Sequence, residues 1–146
     1  MKVTFLRHAE SIFNANLISE KDCELTQKGV EQASALEGQY DVVICSIMKR
    51  TCQTLENSHI KYGKLIFTDL CREKRSDICD YLSYEDEVQE TWEELEARIE
   101  RFVYFLKSQA SPYQSVLVVS HGDFIHTIGK KSKAYPKNAE IQTFNL

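Results

Sequence analysis

Short runs of consecutive apolar residues, each closed by polar side chains, recur along the chain and alternate with stretches whose apolar positions lie three and four residues apart. The runs predict strands over Lys2–Leu6, Tyr40–Ser46, Leu65–Thr68 and Ser115–Ser120, and the alternation from Ala139 to Asn145 predicts a fifth. Helices are expected over about 26–38, started by Thr26, over about 47–57, and over Thr91–Lys107. In the last of these Trp92, Leu95, Ile99, Phe102, Val103 and Leu106 form one apolar stripe, and Thr91 with Glu94 fits a capping box. Strands alternating with helices imply crossover units, hence one α/β domain over 1–146 with a mostly parallel sheet flanked by helices on both faces. No Pro-, Gly- or Ser-rich linker divides it.

Parallel sheets bind ligands beyond the carboxyl ends of their strands, so the residues there carry the candidate chemistry. After the first strand come Arg7, His8, Ala9, Glu10, Ser11 and Asn14; after the second, Ser46, Lys49, Arg50, Thr51 and Thr54. Asp69, Leu70, Arg72 and Glu73 follow the third, and Ser120, His121, Gly122 and Asp123 close the fourth. Two histidines, two or three arginines and a carboxylate would converge, which is the equipment a phosphate monoester calls for. A guanidinium fork holds two phosphoryl oxygens at once. A neutral imidazole attacks phosphorus, and neighbouring cations keep it neutral. A desolvated carboxylic acid protonates the leaving alkoxide.

Arg7, His8, Ala9, Glu10, Ser11 and Asn14 resemble the signature of the histidine phosphatase superfamily, which includes the cofactor-dependent phosphoglycerate mutases and the fructose-2,6-bisphosphatases. The resemblance continues, in the family's order, through Leu25, Thr26, Gly29, Gln32 and Ala33, through Ser46, Arg50, Thr51 and Thr54, and through Val119, Ser120, His121 and Gly122. It implies a phosphoglycerate mutase-like fold with His8 as the phosphorylated nucleophile. Arg7, Arg50 and His121 would surround the phosphoryl group, Asn14 would donate to it, and Glu73 would match the family's proton donor, with Asp69, Asp77 and Asp80 close by in sequence. Ala9 stands where many members carry Gly, a change acceptable at negative φ. The segment from Glu73 to Ser115 is short for a mutase, whose insertions there enclose substrate.

Other residues receive plainer readings. Thr26 to Ala33 is a capped packing helix, Lys49 a solvated cation, His126 a histidine packed on a helix and His59 one exposed in a turn. Twenty-two acidic against eighteen basic residues give a net charge of −4, which speaks against a broad nucleic-acid footprint. Val3–Leu6 is far too short for a signal peptide or a membrane span, and the five cysteines, with no zinc-knuckle spacing, fit buried thiols in a reducing cytoplasm. The expectation is a cytoplasmic, metal-independent phosphomonoesterase without cofactor, acting on a small phosphorylated substrate and not on nucleic acid or membranes, its oligomeric state unread. The rivals are a phosphoprotein phosphatase of the phosphohistidine type, a phosphoglycerate mutase, and an inactive module that binds a phosphorylated ligand.

Overall fold

A computed structural model describes residues 1–16 and 20–146. Strands β1 (Lys2–Arg7), β2 (Glu37–Ser46), β3 (His59–Thr68), β4 (Val116–Ser120) and β5 (Ile141–Asn145) form one sheet in the order β3-β2-β4-β1-β5. The first four run parallel, and β5 lies antiparallel at the edge beside β1. The runs Val42–Cys45 and Leu117–Val119 are wholly buried, as is Phe5–Leu6. Strands covered on both faces must be apolar on both, and that is why they read as runs rather than alternations.

Helices α3 (Trp92–Ala110) and α4 (Gly122–Ile128) cover one face, where Leu95, Phe102, Leu106 and Phe124 pack on Val3, Phe5, Ile44 and Val118. On the other face Leu55 of α2 (Lys49–Asn57) packs on Leu6, Val43, Leu117 and Val119, and α1 (Gln27–Ser34) lies alongside α2. Thr26 caps α1 by accepting from Gly29 N at 3.0 Å, and the Thr91–Glu94 capping box of α3 is complete.

Several boundaries differ from the sequence reading, each for a tertiary reason. Helix α1 stops at Ser34 because Glu37 to Tyr40 pair instead with His59 to Tyr62, so β2 and β3 both begin earlier than their apolar runs. Those added residues are mostly exposed and polar and carry no hydrophobic signal. His59 is therefore not in a turn: it is the exposed first residue of β3. Trp92 leaves the expected stripe and stands half-exposed with Lys74 Nζ 4.9 Å from its ring centre, while Arg98 occupies a buried place on that helix face. His126 lies on α4, partly buried, its ring 5.3 Å from that of Tyr135. All five cysteines are free, and four of them are buried. Among the described residues no helix is long and apolar enough to cross a membrane.

Candidate active site

His8 leaves the end of β1 with its backbone N–H donating to Ser120 O of β4 at 3.1 Å, so the sheet itself sets its height. Its Nδ1 lies 2.7 Å from Ala9 O, and only an N–H can hydrogen-bond a carbonyl. Nδ1 therefore carries the proton, and Nε2 keeps its lone pair, which accepts from Arg50 Nε at 3.3 Å. Burial, then the charges of Arg50 and Arg7, hold the His8 pKa well below the ordinary histidine value. The ring is neutral at neutral pH.

His121, at the end of β4, sits with its ring 5.3 Å from that of His8. Its Nε2 is 2.8 Å from Ser46 Oγ at the end of β2, and its Nδ1 is buried with no partner among the described residues. Burial and the Arg50 charge lower this pKa too. An unpartnered nitrogen on a fully buried ring is costly unless a ligand oxygen completes it. Arg7 donates through Nη1 to Pro136 O at 2.9 Å, lies 5.5 Å from the Tyr135 ring centre, and leaves a buried Nε without partner among the described residues. Asn14 Oδ1 accepts from Ser11 N, Ser11 Oγ and Asn138 Nδ2 at 2.9–3.1 Å, so what Asn14 has left to offer is its NH₂ group.

Arg50, on the first turn of α2, is held by its two remaining nitrogens: Nη1 donates to Cys79 O at 2.9 Å and Nη2 to Asp80 Oδ1 at 3.0 Å in a buried ion pair. Asp80 also accepts from Ser76 N and Asp77 N, so of the carboxylates near Glu73 in sequence it is committed to structure, while Asp69 and Asp77 are exposed. Arg72 is drawn away from the phosphoryl side, pairing with Glu85 Oε1 at 2.6 Å and donating to Asp80 O.

Glu73 is half-buried against the start of α4. Its carboxylate accepts from Asp123 N and Phe124 N, each at 3.1 Å, and from Lys74 N at 3.0 Å. His121 is the N-cap of α4, two positions before the first of those amides, so one helix start joins Glu73 to the second histidine. Burial, followed by the charges of Asp123 and Asp80, pushes the Glu73 pKa up to about 7.

The segment read as purely structural braces this site. Thr26 Oγ1 donates to Glu10 Oε1 at 2.8 Å, Gln32 Oε1 accepts from Glu10 N at 2.9 Å, and a Cβ on Gly29 would stand 2.1 Å from Glu10 O. Glu10 is thus tied to α1. Ala9 has no positive φ, and its N–H donates to Thr54 Oγ1 at 2.9 Å, so the extra methyl relative to Gly is accommodated. Lys49 is exposed.

The sequence reading missed Tyr135, Asn138 and Arg98. Tyr135 Oη donates to Asp123 Oδ1 at 2.9 Å, and Asn138 Nδ2 reaches His8 O at 3.2 Å; both lie in the loop before β5 and leave no pattern in the sequence. Arg98 did leave one, as a charged residue between Leu95 and Phe102 on the apolar face of α3.

Residues 3–73 match the family model described as the histidine phosphatase superfamily, branch 1. The fold is similar to that of the alpha-ribazole phosphatase of Shigella flexneri, with a TM-score of 0.73 at 17% identity over 100% of this chain and 91% of that one. It is also similar to the mycobacterial glucosyl-3-phosphoglycerate phosphatase, with a TM-score of 0.72 at 16% identity over 97% and 90% of the two chains. A phosphoglycerate mutase from Bacillus anthracis superposes with a TM-score of 0.74 at 20% identity, covering 98% of this chain and 86% of its own.

Proposed function

For this chain, which has the phosphoglycerate mutase-like fold of the histidine phosphatases and that superfamily's pattern in its amino-terminal part, we propose metal-independent hydrolysis of phosphate monoesters through a phosphohistidine on His8. One observation carries the reading: a neutral His8, its Nε2 lone pair met by Arg50 Nε, beside the partnerless buried Nδ1 of His121. A phosphoryl group placed there takes the Arg50 donor over from Nε2 and completes His121 Nδ1–H.

In the first half-reaction the Nε2 lone pair attacks phosphorus while the bond to the leaving oxygen breaks. The electron pair departs on that oxygen, which takes the proton of the Glu73 carboxyl. Arg7, Arg50 and the His121 N–H hold the charge spread over the remaining oxygens; Ser46 Oγ lies 2.8 Å from His121 Nε2, and in the tautomer this step uses, its hydroxyl donates there while the opposite nitrogen keeps its proton. In the second, Glu73, now a carboxylate, takes a proton from water as that water attacks phosphorus. The N–P bond breaks, its pair returns to Nε2, and inorganic phosphate leaves. A pKa of about 7 suits a group that must hold a proton in one step and accept one in the next.

The surroundings favour hydrolysis of a monoester over phosphoglycerate mutation. A phosphoglycerate brings a second anion, yet Arg72 is paired with Glu85, and Arg75 and Arg98 with Glu90. The test is trapping: brief exposure to substrate, an alkaline quench and mass spectrometry are expected to find phosphate on His8, and turnover is expected to survive excess EDTA. Phosphate on Ser11, Ser120 or a cysteine, or activity that needs a divalent ion, rejects the mechanism.

A further inference from the structure

Arg98 projects from the apolar face of α3 and is 5% exposed, with its guanidinium 5.6 Å from the Phe124 ring centre. A buried charge is tolerated only where it is paired and its donors are used. Here all of them are. Nε and Nη2 form a two-pronged pair with Glu90 at 2.9 and 2.7 Å, Nη1 donates to Leu70 O and Arg72 O at 2.8 Å each, and Nη2 also donates to Glu73 O at 3.2 Å. Glu90 reaches the far side of the same loop, since its Oε1 accepts from Arg75 N at 3.3 Å and its N–H donates to Arg75 O at 2.8 Å. One ion pair thus grips the backbone on both sides of Glu73. The Glu73 side chain, by contrast, is aligned by the first amides of α4. The carboxyl can meet those amides only if its own backbone is delivered to the right place, which is what the Arg98 fork does.

We propose that Arg98 is a positioning residue for Glu73: by gripping the carbonyls of Leu70, Arg72 and Glu73 it sets where the acid stands relative to the leaving oxygen. The inference rests on the reading of Glu73 as proton donor. It makes no use of contact with substrate, because the guanidinium is spent on protein acceptors. Lysine in its place keeps the charge opposite Glu90 but offers one nitrogen, which cannot span three carbonyls and a carboxylate together.

The experiment measures single-turnover phosphorylation of His8 by an alkyl phosphate, whose alkoxide needs a proton, and by p-nitrophenyl phosphate, whose phenolate does not. Four proteins are compared: the unaltered chain, Glu73→Gln, Arg98→Lys and Glu90→Gln, the last covering the case that Arg98→Lys does not melt cooperatively. Arg98→Lys is expected to slow the alkyl ester about 10²-fold, as misplacement of a catalytic group by about 1 Å does, and the aryl ester by no more than about threefold. Glu90→Gln is expected to show the same selectivity, more weakly. If Glu73→Gln is selective while folded Arg98→Lys and Glu90→Gln slow both esters equally or neither, Arg98 is a structural residue only and the proposal is overturned. If Glu73→Gln itself shows no selectivity, the donor reading of Glu73 falls, and the role of Arg98 with it.

Discussion

The proposed phosphoryl-binding side of the site and its proposed proton-donating side hold their residues by different means. His8, Ser46 and His121 stand at or just past the ends of β1, β2 and β4, where ladder hydrogen bonds fix the backbone, and Arg50 begins the helix that follows β2. Glu73 stands beyond β3 in a loop with little backbone ladder, tied down by buried side chains: Arg98 with Glu90, Arg72 with Glu85 and Asp80, Asp80 with Arg50. A backbone ladder survives the loss of any one side chain. A side-chain network does not, since deleting one member strands a buried charge, at about 3–5 kcal/mol. The first side is robust and locally encoded, and the second is as reliable as its weakest ion pair.

The sharpest way to break this comparison is to remove the nucleophile. His8→Ala is expected to leave the fold intact and lower the phosphatase rate by several orders of magnitude, towards the roughly 10⁶-fold seen when a nucleophile of the subtilisin type is deleted. A melting curve alongside kcat for p-nitrophenyl phosphate checks both halves of that statement. Next in size is Glu73→Gln, expected to slow single-turnover phosphorylation of His8 by about 10²–10⁴ for an alkyl phosphate and far less for the aryl ester. Equal losses would make the loop a purely structural element.

A pH profile separates the two sides without mutation. Glu73 donates only while protonated, and its pKa is raised to about 7, so the rate of single-turnover phosphorylation of His8 by an alkyl phosphate is expected to fall as pH climbs through about 7. His8 attacks only while neutral, and its lowered pKa keeps it so to well below 6.5, so no acid limb is expected near the ordinary histidine value. A rate that rises between pH 7 and 8 contradicts both assignments.

Smaller effects probe the brace under His8. Gly29→Ala is expected to destabilise the chain by about 1–3 kcal/mol, since its methyl would press on Glu10 O. At this chain size each kcal/mol lowers Tm by about 2–4 °C, which calorimetry resolves. The smallest effect belongs to Ala9→Gly. Ala9 is buried and its φ is not positive, so the change removes a buried methyl and frees the unfolded chain, and is expected to cost about 1–2 kcal/mol and leave kcat unaltered.

How much of this was legible beforehand follows the same division. Apolar runs located the strand ends that the parallel sheet gathers, and the resemblance to the histidine phosphatase signature singled out Arg7, His8, Arg50 and His121 among the residues there. Glu73 was named with Asp69, Asp77 and Asp80 beside it, since spacing alone does not rank four carboxylates in one polar loop. Their fates diverge only through partners: Asp80 neutralises Arg50, Asp69 and Asp77 face solvent, and Glu73 meets the start of α4. Arg72 appeared eligible for the phosphoryl group until Glu85, thirteen residues further on, claimed it. Tyr135 and Asn138 reach the site from the loop before β5, more than a hundred residues from His8 along the chain, and nothing local announces them.

By itself, then, the amino-acid sequence determined the class of fold, the order of its elements and which residues gather at the strand ends, because those depend on hydrophobic periodicity and on residues a few positions apart. Tertiary structure alone decided the tautomer of His8, the unpartnered nitrogen of His121, the raised pKa of Glu73 and the grip of Arg98 on its loop. Each of these is an effect of burial or of a hydrogen bond to a distant residue. Both come into being only when the chain closes on itself and excludes water, and in that drier interior the pairing of a charge or a lone pair becomes worth kilocalories.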